Sequence, residues 1–168
     1  DGLHSPDSVL AFYVRPESGN NILLGSEDPA CDPQVWVDAP DDYDTVVSDE
    51  QWNAQVLRLA RRIPELGVPS EKKGIVDLYD VSDDWIPIYD RTDLDGFYVA
   101  IGSSGNQFKN APVAAYCMAE LIEAVEGGHD HDADPLVVTG VYTGLEMDMG
   151  VYRRIREINP NSSFSVNG

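Results

Sequence analysis

Residues 96–112 read GFYVAIGSSGNQFKNAP, and no other stretch leaves the backbone so few choices. GFYVAIG reads as a strand, Gly102, Ser103, Ser104 and Gly105 keep every side chain small, and PVAAYCMAELIEAVEGG opens a helix within a few residues. A strand that becomes a helix over so short a turn lets main-chain amides approach a ligand closely, beside the positive end of the helix. Such a corner suits an anion or an electron-rich carbonyl. Lys109 places a full positive charge at the same point. Spacing alone leaves two readings open: an ammonium that meets a ligand carboxylate, or a plain tight turn followed by an ordinary surface lysine.

The setting makes that lysine unusual. The chain has 30 acidic residues against 11 Lys and Arg, a net charge of −19, and its other two lysines, Lys72 and Lys73, fall in a polar stretch that water would accept. This balance excludes nucleic acid, whose phosphates would be repelled, and disfavours an anionic membrane surface. Aspartate outnumbers glutamate and arginine supplies most of the cations, which resembles the surface of a protein from a high-salt cytoplasm. Individual carboxylates are therefore expected to be solvated surface groups. Apolar content of 42% in 168 residues predicts one ordinary globular domain. Cys31 and Cys117 give neither a disulfide framework nor a zinc spacing, so a reduced cytoplasmic setting is expected. No apolar run reaches the length of a membrane span. The chain starts without Met, which predicts a piece of something longer.

The expected fold is α+β, a mostly antiparallel sheet flanked by helices. VLAFYVRPESGNNILLGSED reads as a hairpin around ESGNN, and residues 26–50 as a long acidic loop with a short strand at VWV. SDEQWNAQVLRLARRIPEL predicts a helix over 49–64, capped by Ser48 and Gln51, with Trp52, Val56, Leu57 and Ala60 on the buried face. GIVDLYDV, WIPIYD and GFYVAIG read as strands, the middle one shortened or set at an edge by Pro87. A second helix is expected over 112–126, with Asn110 as N-cap and Gly127 and Gly128 ending it. Its first half is apolar on nearly every side, which predicts packing on more than one face. PLVVTGVY reads as a last strand before the basic YRRIREI.

GIVDLYDVSDDWIPIYD and LDGFYVAIGSSGNQFKNAPVAAYCMAELI together resemble the C-terminal half of the FAD-dependent amine and amino-acid oxidoreductases, the family of D-amino acid oxidase, sarcosine oxidase and dimethylglycine dehydrogenase. That family shows a strand, a G-x-S-G-x-x-F-K turn and a helix here. The resemblance covers residues 74–126, the hairpin and the closing RRIREINPNSSFSVNG. It implies that Gly102, Ser103, Ser104, Gly105, Asn106, Gln107 and Phe108 lie against the flavin. It also implies that Lys109 binds the carboxylate of a small amine or amino-acid substrate, and that Tyr79 falls near an active-site tyrosine. Where monomeric sarcosine oxidases carry a flavin-linking cysteine this chain has Asp77, so the cofactor is expected to be held non-covalently.

No G-x-G-x-x-G turn occurs in the 168 residues. The resemblance therefore implies a substrate-domain-like part over 1–95 and a part over 96–168 that returns to an FAD-binding domain. The nucleotide-binding half is expected as a missing partner, FAD is expected to bind the isolated chain poorly, and apolar surface left on the second helix is expected to be hidden by a homodimer. The alternatives are an FAD enzyme acting on a hydroxy acid or polyol phosphate, and a non-catalytic acidic binding module. No metal is expected: HDHDADP fails as a calcium loop because Pro135 and Val141 stand where glycine and glutamate are needed. It is read as a solvated loop, and Asp83 and Asp84 as a turn between strands.

Overall fold

A computed structural model describes residues 12–26, 34–105 and 107–164, in two compact units divided between Leu78 and Tyr79. The first unit opens with the expected hairpin. Strand β1 (Phe12–Glu17) pairs antiparallel with β2 (Asn21–Ser26), Phe12 opposite Ser26 and Glu17 opposite Asn21. The Tyr13 ring lies across its partner Gly25 so closely that a side chain there would collide with it. Helix α1 (Asp49–Arg62) follows, and its start is the one the sequence encodes: the Ser48 hydroxyl accepts from the Gln51 N–H at 3.1 Å, with Asp49 and Glu50 in the first turn. It ends two residues short of expectation, giving way to a 3-10 turn at Pro64–Leu66. Val56 and Leu59 are buried, and α1 packs against β2. Leu57, expected inside, is 42% exposed, because the apolar stripe runs 52, 56, 59 rather than through 57.

Two expected strands are absent. VWV at 35–37 is irregular, with Val35 and Trp36 exposed, and residues 74–81 form no ladder. In 74–81 the side-chain carboxylates capture amides that a strand would offer to a neighbour. Asp77 takes the Leu78 N–H at 2.9 Å and the Tyr43 hydroxyl at 3.1 Å, and Asp80 takes donors from the 102–104 turn.

In the second unit β3 (Ile88–Arg91) begins directly after Pro87 and pairs antiparallel with β4 (Tyr98–Ile101), Ile88 opposite Ile101. Helix α2 (Ala111–Glu126) packs on this ribbon. Its C-terminal end closes with two reverse bonds, Gly128 N–H to Val125 O at 2.9 Å and His129 N–H to Ala124 O at 2.9 Å. Its N-cap residue Asn110 does not cap by its side chain, which instead donates to Gln107 Oε1 at 3.2 Å. The last ribbon, β5 (Val137–Thr139) with β6 (Glu146–Asp148), adds a strand the sequence pattern did not reveal. Tyr89, Cys117, Val138 and Met149 form the core.

The class is α+β, as expected, but the described residues form three two-stranded antiparallel ribbons rather than one larger sheet. Helix α2 buries one face, through Cys117 and Leu121, while Val113 and Ile122 stay exposed. The expected cover on more than one face is not supplied by the described residues. An apolar groove of about 510 Å³ runs between β4 and α2, lined among others by Tyr89, Tyr98, Ile101, Ala115, Met118 and Ile122. No helix of the described residues is long and apolar enough to cross a membrane.

Candidate functional site

The corner between β4 and α2 is held from beneath by Asp80. Its Oδ2 accepts from the Gly102 N–H at 2.7 Å, its Oδ1 from the Ser103 hydroxyl, and its carbonyl from the Ser104 N–H at 3.0 Å. Burial would raise the Asp80 carboxyl; the Ser103 hydroxyl and the Ser103 and Gly102 amides outweigh it and hold the group below its ordinary value. Gly102 (φ +68°), Ser104 (φ +49°) and Gly105 (φ +80°) are left-handed. At Gly102 a Cβ would come within 3.2 Å of Ser82 Cβ, so only glycine suits both the backbone and the space. Ser104 is fully buried and returns its hydroxyl to Gly102 O at 3.2 Å. A buried serine in this conformation costs on the order of 1 kcal/mol, which its two hydrogen bonds offset.

The outward side of the corner is different. Gly105 is exposed and bare of side chain, and Phe108 is 98% exposed. Asn106 lies outside the described residues. Gln107 faces inward, where its Oε1 accepts the Tyr89 hydroxyl at 2.9 Å. Lys109 is exposed in the 3-10 turn Phe108–Asn110 and makes no ion pair among the described residues. Lys72 and Lys73, by contrast, pair with Asp49 at 2.7 Å and Glu71 at 3.1 Å. The first turn of α2 holds no acidic residue, so Lys109 sits at the positive end of a helix with no nearby compensation in sequence. Tyr79 is half-exposed and one residue from the Asp80 clamp.

Bare backbone, an exposed aromatic ring and an ammonium thus share one short segment. The corner differs from expectation in one respect. The Gly102 and Ser104 amides and the Ser103 hydroxyl are committed to Asp80, so the outward charge comes from Lys109 and the helix start rather than from every amide of the turn.

The sequence reading missed a set of buried carboxylates. Asp84, taken as a turn residue, is 1% exposed and grips Arg156 through both oxygens, at 2.6 and 3.1 Å, with the Ile86 and Asn159 amides. Burial would raise its carboxyl, but the Arg156 bonds and those amides push it down to about 2. Asp90 is fully buried and accepts from the Arg154 N–H at 2.7 Å and guanidinium at 3.2 Å. HDHDADP, read as a solvated loop, places Asp132 against the Arg154 guanidinium at 2.8 and 2.9 Å. His131 there is fully buried and accepts the Leu136 N–H on Nδ1 at 3.0 Å, so its neutral form carries the proton on Nε2, 3.8 Å from Asp90. Burial pushes the His131 pKa down against the attraction of Asp90. Thus the basic YRRIREI is a clamp that ties the C-terminal segment to 84–93. The only sequence signal was a cluster of arginines in a chain with few basic residues. Among the described residues no group of three His, Cys, Asp or Glu is placed to hold a metal ion.

The described residues define an α+β protein with a strand-turn-helix corner between β4 and α2. Residues 2–121 match the FAD dependent oxidoreductase family, a span that takes in the hairpin, α1, the Asp80 clamp, the corner and most of α2. The chain belongs to that family. No curated protein and no solved structure matches it.

Proposed function

We propose that this FAD-dependent oxidoreductase oxidises the C–N bond of a small amine or amino acid of the sarcosine, dimethylglycine or D-amino acid type, with Lys109 receiving the substrate carboxylate. The observation that carries the reading is the state of Lys109: exposed, at a helix start without acids, and without an ion pair among the described residues of a strongly acidic chain. A carboxylate arriving there gains a charge-assisted bond and relieves the repulsion between ammonium and helix end. The chemistry that FAD supplies when bound is acceptance of a hydride equivalent at N5. Gly105, Phe108 and Lys109 are the residues of this corner that would face it, and Tyr79 would border the substrate. Asp77, held by Tyr43 and the Leu78 amide, offers no sulfur for a covalent link. In this reading residues 1–95 belong to the substrate side and 96–168 return to the flavin side.

The test replaces Lys109 by Met in the full-length protein, nucleotide-binding half included, loads it with FAD and follows flavin bleaching. KM for dimethylglycine is expected to rise at least about tenfold, the loss of one charged hydrogen bond, while a secondary amine without a carboxylate is unaffected. Equal KM values for every carboxylate substrate would remove Lys109 from the mechanism. Bleaching by hydroxy acids or polyol phosphates, but by no amine, would replace the C–N reading.

A further inference from the structure

We propose that Asp80 is a positioning residue for this reaction: its side chain clamps the start of the corner and so sets where Lys109 and the beginning of α2 meet a ligand. The inference rests on the proposed function for its substrate, but the clamp itself stands on geometry. Asp80 lies in an irregular segment, yet three successive corner residues, Gly102, Ser103 and Ser104, hydrogen-bond to it. Two of them, Gly102 and Ser104, hold left-handed conformations that a short turn would readily abandon. Clamped, they leave the described residues of 105–110 little freedom before α2 begins at Ala111, and Lys109 is among them. The carboxylate also occupies the donors that would otherwise bind an anion. An incoming carboxylate is therefore met by Lys109, on the outward side, and not by the Gly102 amide.

Two substitutions separate positioning from charge. In Asp80→Asn the side-chain oxygen still accepts from Gly102 and the amide donates to the Ser103 oxygen, so the outline survives without the charge. In Asp80→Ala both side-chain bonds are lost. The Ser104 bond to the main-chain carbonyl persists in either protein and serves as an internal control.

In the FAD-loaded protein, Gly102 amide hydrogen exchange is expected to quicken about tenfold in Asp80→Ala, the loss of one charge-assisted bond, with Ser104 near its wild-type rate. KM for dimethylglycine is expected to rise about tenfold with a smaller change in kcat, and Asp80→Asn to restore both readouts to within about threefold. Unchanged Gly102 exchange in Asp80→Ala would overturn the clamp. Faster exchange with an unmoved KM would overturn its role in positioning, and an Asn variant as impaired as Ala would make charge, not geometry, the cause. If Asp80→Ala does not fold, Ser103→Ala removes one of the same bonds and is expected to move KM in the same direction. A wild-type protein that no amine bleaches sinks the C–N reading alone; the exchange contrast still decides the clamp.

Discussion

Asp84 shows what a single carboxylate does when it leaves the surface of an acidic protein. It holds Arg156 and two amides while 1% exposed, so removing its charge leaves a guanidinium with no anion at close range. Asp84→Asn is expected to destabilise the fold by roughly 3 kcal/mol, read from chemical denaturation. The pH dependence follows from the depressed pKa. The folded value of about 2 lies below the unfolded 3.8, so this stability is complete above about pH 4 and is lost as pH falls towards 2. The increment is about 2 kcal/mol, and the acid limb of the Asn variant should lack it. An Asn variant with a wild-type denaturation midpoint would refute the buried pair. None of this was legible beforehand: among thirty acids the sequence does not mark which few are buried, since burial depends on Arg156, seventy-two residues away.

Local chemistry decided some elements and left others open. The hairpin, α1, β4 and α2 could be read because each is specified by neighbours: turn formers at ESGNN, the Ser48 cap, the alternation of FYVAI, and the terminal Gly127 and Gly128. Gly128 tests that idea. It stands at φ +96° with nothing within 4 Å of an added Cβ, so Gly128→Ala meets no clash and pays only for the backbone conformation. A loss of about 1 kcal/mol is expected in thermal or denaturant unfolding; no loss would mean the α2 end relaxes to another geometry. The segments that defeated the reading needed distant partners. Residues 74–81 alternate well enough for a strand but find their donors and acceptors in Tyr43 and the 102–104 turn, and β6 is a strand only because β5 lies beside it.

A net charge of −19 over 168 residues sets the behaviour of the chain as a body. Self-repulsion favours the expanded state, and raising salt from about 0.1 M to about 1 M shortens its reach from about 10 Å to about 3 Å. The melting temperature is expected to rise by about 5 °C or more over that range, measured by circular dichroism; an unchanged or lower value would show that repulsion among surface carboxylates does not limit stability. The sequence alone determined the α+β class, the main helices, the strand-turn-helix corner and the family, because these depend on short-range periodicity, capping and turn chemistry. Only the tertiary structure decided that Asp80 fills the inner donors of that corner, that Asp84, Asp90 and His131 are buried, and that the sheet is divided into separate ribbons. Each of those depends on which distant groups share a low-dielectric space, and hydrogen bonds there form between whatever donors and acceptors the folded chain brings within about 3 Å.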